Sequence, residues 1–158
     1  MRVADVMSHR PLMIDAFDTV EVAAQLMRAQ VIGTLPVVEQ GELVGVVTDR
    51  DLVLRCMAPG EKPWETFVRE VMTPNPATCR AEEPLLDAIE RMIARRVRRL
   101  IVVDDEGVAG ILSVDDLVLS HDTQPMVFMV LEKAAQMHGG ELEGEAPAEK
   151  EAPVPGEL

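Results

Sequence analysis

Aromatic side chains are scarce in this sequence. It has no tyrosine, one tryptophan and three phenylalanines among 158 residues. The hydrophobic fraction is nevertheless 47%, which is enough to form a core. That core must be filled by valine, leucine, isoleucine, alanine and ten methionines, and methionine in particular packs adaptably.

Positive charge is also in short supply. Fifteen lysines and arginines stand against 28 aspartates and glutamates, which gives a formal net charge of −13 and a pI near 4.6. A general nucleic-acid-binding protein needs a basic face for phosphates, and docking on an anionic membrane needs one too. The composition therefore argues against both classes.

Cysteines are few, and long apolar runs are missing. The two cysteines, Cys56 and Cys79, are too few for a disulfide framework, which favours a reducing compartment. The first residues lack the apolar run of a signal peptide, and no stretch approaches the roughly 20 apolar residues of a membrane span. We expect a cytoplasmic protein.

The sequence shows no set of residues that predicts catalysis. His9, His121 and His138 have no mutual spacing suited to a metal, and with two scattered cysteines they form no convincing zinc site. No Ser-His-Asp set, P-loop or pair of catalytic carboxylates is evident. We expect no enzymatic activity, no metal and no catalytic cofactor.

The chain repeats itself with a shift of 65 residues and no gap. The stretch "VADVMS" at 3–8 falls on "VREVMT" at 68–73, and "GVVTDRDL" at 45–52 falls on "GILSVDDL" at 110–117. A repeat of this length is too long for most solenoid units. Two copies indicate two similar subdomains that pack on each other.

Each copy predicts the order β-α-β-β-α, and the whole chain therefore an α+β fold. A short extended segment comes first, followed by an amphipathic helix, two apolar strands joined by a glycine-containing turn, and a second helix that starts at Thr48 or Ser113. The apolar positions of the first helix are Val20, Ala23, Ala24, Met27 and Val31 in one copy and Leu85, Ala88, Ile89 and Met92 in the other.

These patterns divide the chain into five parts. Residues 1–58 form the first repeat, 59–66 a linker rich in proline and glycine, and 67–121 the second repeat. Residues 122–138 predict a C-terminal helix that is apolar nearly all round at its start, so it must be buried on this chain's core or in a dimer interface. Residues 139–158, with six glutamates and one lysine, predict a disordered acidic tail.

In their order and spacing, the motifs resemble a tandem pair of CBS domains, the module named for cystathionine β-synthase and often called a Bateman module. The marks are "DVM" and "EVMT" opening the copies, "LPVV" before a turn, and the two corners at 45–52 and 110–117. The resemblance covers residues 1 to 120, and it is to stand-alone bacterial and archaeal pairs. It implies two repeats packed by their sheets about a pseudo-twofold axis, clefts for adenosine-containing ligands, and a homodimer of such pairs.

The resemblance assigns roles to the repeated corner. Asp51 or Asp116 would accept hydrogen bonds from ribose hydroxyls, as the aspartate does in the family. By its own chemistry, the hydroxyl of Thr48 or Ser113 can bond a phosphate or ribose oxygen. The residue chemistry supports these roles independently, because an ionised carboxylate only accepts and a helix N-terminus suits phosphate. The family places adenine against the first strand of each copy, here Met13, Ile14, Thr78 and Cys79.

The same corner has a purely structural interpretation. The patterns T-x-x-D and S-x-x-D at a helix start are typical of a capping box. A hydroxyl can cap a helix and contact a ligand, so the two roles overlap. The duplicated context favours ligand binding.

The two copies differ in charge. The first corner contains Arg50, where the second has Asp115, and an arginine attracts phosphate while an aspartate repels it. We expect Arg98 and Arg99, just before a strand of the second copy, to contact the ligand. The neighbouring Arg95 and Arg96 are assigned to a solvated helix end, where cations suit the helix dipole.

The sequence therefore predicts a non-enzymatic regulatory sensor. Its ligand would be an adenine nucleotide, AMP, ADP or ATP, with NAD or S-adenosylmethionine less favoured. An effector protein would read the change in the relative orientation of the repeats, and neither nucleic acid nor membrane is an expected partner. The alternative is a protein-interaction or dimerisation module with vestigial nucleotide clefts.

Overall fold

The computed structural model describes residues 1–119 together with Thr123, Met126 and Val127. The first half contains β2 (Ile14–Asp15), α1 (Val20–Gln30), β3 (Thr34–Glu39), β4 (Glu42–Thr48) and α2 (Asp49–Leu52), which continues as a π-helical turn (Val53–Met57). The second half contains β6 (Thr78–Arg80), α4 (Leu85–Arg95), β7 (Arg99–Asp104), β8 (Gly107–Ser113) and α5 (Val114–Leu119). Short elements precede each half: a 3₁₀ turn (Val3–Asp5) and β1 (Ser8–His9), then α3 (Val68–Val71) and β5 (Thr73–Pro74).

The strands form two four-stranded sheets with the orders β2-β3-β4-β5 and β6-β7-β8-β1. A shift of 65 residues carries the start of β3 at Thr34 onto the start of β7 at Arg99, and both hairpins have a register irregularity at equivalent valine pairs. The two sheets meet where β4 and β8 come into contact. These features confirm the predicted α+β fold of two repeats.

Each sheet is completed by a short strand from the start of the other repeat. The strand β1 pairs antiparallel with β8, with His9 opposite Gly110. In the same way β5 pairs antiparallel with β4, with Pro74 opposite Gly45. The sequence pattern did not predict this exchange, because both crossing strands are only two residues long.

Gly45 and Gly110 make room for the crossing strands. A Cβ atom at Gly110 would lie 2.6 Å from the backbone oxygen of Ser8 and 2.8 Å from Sδ of Met7. A Cβ atom at Gly45 would lie 2.5 Å from Sδ of Met72 and 3.0 Å from the backbone oxygen of Thr73. The absence of a side chain at these two positions therefore lets the crossing strands pass close by.

The two halves have separate apolar cores made of aliphatic side chains. The predicted inner faces of α1 and α4 are mostly buried, with Val20, Ala23 and Met27 in the first and Leu85, Ala88, Ile89 and Met92 in the second. The assignments of Ala24 and Val31 to the buried face were wrong. Ala24 is exposed, and Val31 is 92% exposed because the chain has already left the helix there, in the left-handed conformation.

Most of the predicted C-terminal helix and all of the predicted tail lie outside the described residues. Of that segment, Val127 is buried in the core of the second half and Met126 packs against the same core. These two contacts favour the first of the two predicted locations, on this chain's own core. Among the described residues, no helix has the length and apolar character to cross a membrane.

We expect Gly110→Ala to lower the free energy of unfolding by about 1–3 kcal/mol, the usual cost of overfilling a tight contact. Gly45→Ala should cost less, because its nearest neighbour is the end of a flexible methionine while that of Gly110 is backbone. Urea denaturation of both variants measures the difference. Equal and small losses would contradict the close approach of β1 to β8.

Candidate functional site

A cleft of about 610 Å³ lies between the first corner and the second repeat. The first repeat contributes Thr34, Val46, Thr48, Asp49, Arg50 and Asp51. The rest of the lining comes from the second repeat, from β5 with the residues after it and from the junction of α4 with β7: Thr73, Asn75, Pro76, Ala77, Arg95, Val97, Arg98, Arg99 and Ile101. A ligand in this cleft would touch both repeats at once.

The corner itself is a reciprocal cap at the start of α2. The Thr48 hydroxyl donates to Oδ2 of Asp51 at 2.7 Å, the Thr48 backbone N–H donates to the same oxygen at 2.9 Å, and the Asp51 N–H donates to the hydroxyl at 3.2 Å. The second corner repeats this with Ser113 and Asp116, at 2.5, 2.8 and 3.1 Å. The capping interpretation therefore holds at both corners.

This cap uses the donors that were expected to meet phosphate. The Asp49 N–H donates to the Gly33 carbonyl at 3.1 Å, and the Arg50 N–H donates to Oδ1 of Asp49 at 2.8 Å. Together with the capped Asp51 N–H, the first three amides of α2 already have acceptors. None of these three amides is therefore unpaired, and the positive charge of the cleft comes from side chains.

In Asp51 and Asp116, the carboxylate oxygen that the cap does not use, Oδ1, faces a partner outside the corner. Oδ1 of Asp51 lies 3.4 Å from Nη2 of Arg55, while Nη1 of Arg55 donates to the carbonyls of Val71 and Met72 at 2.8 and 2.9 Å. Oδ1 of Asp116 accepts from the Ser8 hydroxyl at 3.2 Å. Each aspartate is thus tied to the segment that crosses from the other repeat. Oδ1 is also the oxygen that the cap leaves available to a ribose hydroxyl.

Four arginines line the cleft, against two aspartates. The structure brings Arg50, Arg98 and Arg99 together there. The expectation that they contact a ligand stays a prediction. The assignment of Arg95 to a solvated helix end was incomplete, since Arg95 also lines the cleft. Its position at the C-terminal end of α4 explains both the exposure and the access to the cleft.

The apolar wall of the cleft is formed by Val46, Pro76, Ala77, Val97 and Ile101. This surface suits a flat base better than the predicted first strand of the same repeat. Ile14 is buried in the first core, the Met13 side chain is largely exposed, and neither belongs to the described lining of this cleft. The reason is the strand exchange, which brings residues 75–77 of the second repeat to the first corner.

Thr78 and Cys79 lie beside the cleft. They line an adjoining cavity of about 400 Å³ that shares Asn75, Pro76 and Arg95 with it. Burial, with a smaller contribution from the Glu83 carboxylate, raises the pKa of Cys79 to about 11. The thiol therefore stays protonated at neutral pH, and Cys79 offers packing and no nucleophile.

Thr34 is a lining residue that the sequence interpretation missed. It is only 7% exposed, and its Oγ1 has no hydrogen-bond partner among the described residues. A buried hydroxyl without a partner is costly, so this atom is well placed to bond a polar ligand atom. The available signal was its alignment with Arg99 under the 65-residue shift.

The equivalent positions around the second corner are much less basic. Under the same shift, Arg50 corresponds to Asp115, Arg95 to Gln30, Arg98 to Gly33 and Arg99 to Thr34. The first cleft is therefore lined by one arginine of the first repeat, Arg50, and by three of the second, Arg95, Arg98 and Arg99. The described residues contain no cluster of three or more histidine, cysteine or acidic side chains that could hold a metal ion.

Both halves of the chain match the same protein-family model. The family model described as "CBS domain" matches residues 3–57 and 68–120. The CBS domain-containing protein YhcV of Bacillus subtilis is 36% identical over 118 residues, which cover 75% of this chain and 84% of that protein.

Solved structures show the same fold. A putative signal-transduction protein with CBS domains from Burkholderia ambifaria matches with a TM-score of 0.69 and 27% identity, over 75% of this chain and 91% of that one. The CBS domain pair of protein MJ0100, solved in complex with 5′-methylthioadenosine and S-adenosyl-L-methionine, matches with a TM-score of 0.66 and 28% identity. That match covers 74% of this chain and 96% of the other.

Proposed function

We propose that this chain, which belongs to the CBS-domain family and carries two of its domains, is a non-catalytic sensor of phosphorylated adenosine ligands. CBS-domain pairs are regulatory modules, and the proposal concerns which ligand this pair senses. AMP, ADP and ATP are the candidate ligands, and the Thr48–Asp51 cleft is the candidate site. NAD, which also carries phosphate, is the next candidate.

The observation that carries the proposal is the arrangement of charge within one cleft. Oδ1 of Asp51, which the cap does not use and which lies 3.4 Å from Nη2 of Arg55, is an acceptor at the corner, and four arginines line the same cavity. Arginine makes the stronger, charge-assisted kind of hydrogen bond to phosphate. An acceptor for sugar hydroxyls and a set of cations for phosphates match the two polar parts of a nucleotide, and the apolar wall matches its base.

The same charges favour phosphate over a sulfonium group. The MJ0100 pair is described with S-adenosyl-L-methionine and 5′-methylthioadenosine, of which the first carries a positively charged sulfur. Four arginines repel that charge and attract a phosphate. The similarity to the MJ0100 pair supports recognition of the adenosine part of a ligand. The arginines favour a phosphate, rather than a sulfonium group, at the 5′ end of that ligand.

Binding in this cleft would stabilise one relative arrangement of the repeats. The ligand would contact the corner of the first repeat and the arginines of the second, so its affinity depends on how the repeats lie against each other. An effector protein can then respond to that arrangement, to the extent that the ligand prefers one state over the other. Turnover of a bound nucleotide, detected by product analysis after incubation, would exclude the non-catalytic role.

Two exposed apolar pairs support a homodimer. Val53 and Leu54 are about half exposed, and so is Val118, while the neighbouring Leu119 is mostly exposed. The two pairs are equivalent under the repeat shift, so they form a duplicated apolar feature on the helical side of the corners. A second copy of the chain would bury it.

Arg50→Ala should reduce affinity for ATP more than for adenosine, because Arg50 is expected to meet phosphate only. The loss should shrink at high salt, where screening weakens the charge interaction. Isothermal titration calorimetry with both ligands measures the effect, and Arg28→Ala, an exposed change at the end of α1, is the matched control. Equal losses for ATP and adenosine would show that Arg50 does not contact phosphate. A wild-type chain that binds neither ligand would instead favour the alternative of a protein-interaction module.

Asp51→Ala should weaken ATP binding by about 1.5–3 kcal/mol, because hydrogen bonds to a charged acceptor are lost. It should also lower the free energy of unfolding by about 0.5–2 kcal/mol through loss of the cap. To separate the two effects, ATP is compared with its 2′-deoxy and 3′-deoxy analogues. The wild type should prefer ATP over at least one of them, and Asp51→Ala should remove that preference. A preference that survives the substitution would rule out the ribose role of Asp51, and Asp116→Ala tests the second corner in the same way.

We expect a homodimer in solution at micromolar concentration, measured by light scattering. The double change Leu54→Asp and Leu119→Asp should give a monomer, because it places charge on both apolar pairs. Val31→Asp, at another exposed apolar residue, is the control and should leave the dimer intact. A wild-type monomer at this concentration would refute the assembly.

A further inference from the structure

Asp115 faces two of the arginines that line the cleft. Its Oδ2 lies 3.5 Å from Nη2 of Arg99, and its Oδ1 lies 3.9 Å from Nη2 of Arg98. All three side chains belong to the second repeat. All of them are accessible to solvent: the Asp115 side chain is 62% exposed, and those of Arg98 and Arg99 are 75% and 36% exposed. Each ion pair is therefore weak, and a ligand can replace it.

The same two guanidinium groups line the cleft at the first corner. We propose that Asp115 is a specificity-determining residue, which holds Arg98 and Arg99 while the cleft is empty and yields them to the phosphates of a ligand. This inference rests on the proposed function and adds a competitor to it. Asp115 is not among the residues that line the cleft, so its carboxylate competes for the two arginines from beside the cleft, as an anion that belongs to the protein.

The competition sets how many phosphates a ligand needs. A nucleoside has no anion to offer, so it leaves the Asp115 contacts in place. One phosphate gains little after displacing a carboxylate, whereas a di- or triphosphate brings enough charge for Arg98 and Arg99 together with Arg50. The cleft therefore selects for ligands with more than one phosphate.

The exchange of partners also links the repeats. In the empty protein the arginines pair within the second repeat, and in the complex they pair with a ligand held at the corner of the first. Ligand binding thus replaces an internal contact with a bridge between repeats. The first repeat has no such device, because Arg50 stands at the position equivalent to Asp115 and Thr34 at that of Arg99.

Asp115→Asn tests the inference by removing the competing charge while keeping the side-chain size. Calorimetry on the full chain should show ATP binding about three-fold tighter, within the range that exposed ion pairs produce, with adenosine affinity unchanged. AMP should gain relative to ATP, since a single phosphate no longer has to displace a carboxylate. Asp105→Asn is the matched control: it removes one charge at the far end of β7, roughly 20 Å along the strand from Arg99, and should change none of these values.

A double-mutant cycle separates direct competition from a general charge effect. In the background Arg98→Gln with Arg99→Gln, Asp115→Asn should have no effect on ATP affinity, because no arginine remains to be released. An effect that survives in that background, or equal gains for ATP and adenosine, would overturn the inference. If the wild type binds ATP and Asp115→Asn leaves every affinity unchanged, only this inference fails. If the wild type binds no adenosine nucleotide, the proposed function fails and the inference fails with it.

Discussion

The pairing of each crossing strand with the other repeat's sheet is the constraint on which the rest of the structure depends. The strands β5 and β1 complete the sheets of the first and second repeat, and each can do so only because a glycine leaves room for its backbone. The pairing fixes the two repeats side by side and brings β4 and β8 into contact. It also brings the segment after β5 to the first corner, so the cleft is formed from both repeats.

The sequence predicted the features that local chemistry determines. The 65-residue repeat, the order of helices and strands, the inner faces of α1 and α4 and the hydroxyl–aspartate corners follow from periodicity and capping patterns. The exchange of β1 and β5 could not be predicted, because two-residue strands have no periodicity and their partners lie about 30 or 100 residues away along the chain. The apolar wall of the cleft could not be predicted for the same reason, since the exchange brings residues 75–77 to the first corner. The placement of adenine against the first strands, which the family resemblance implied, stays a prediction.

Side-chain placement in the cleft was predictable only in part. Arg50 was a candidate because it stands in the first corner, and Arg98 and Arg99 because they belong to a dense basic run at 95–99 in an acidic chain. The structure places all three on the cleft, and their contact with a ligand stays a prediction. The assignment of Arg95 was incomplete because a helix end accounts for a cation equally well. Thr34 was missed because its alignment with Arg99 is the one signal it has in the sequence. What makes Thr34 notable is its burial without a partner, which only a three-dimensional arrangement reveals. The occupied amides of the corner are a similar case, because a capping box and a phosphate site share one sequence pattern.

The strand exchange also bears on how such a chain can arise. A single repeat supplies three strands to its own sheet, and the fourth strand comes from the start of the other repeat. An isolated ancestral unit could therefore complete its sheet only by lending its leading strand to a second copy and borrowing that copy's strand in return. Duplication and fusion of the gene would turn this exchange between two molecules into one within a single chain. After such a fusion, the two units would be encoded by separate stretches of one gene, so their corners would be free to diverge. Arginines could then accumulate around one corner while the common scaffold stayed unchanged.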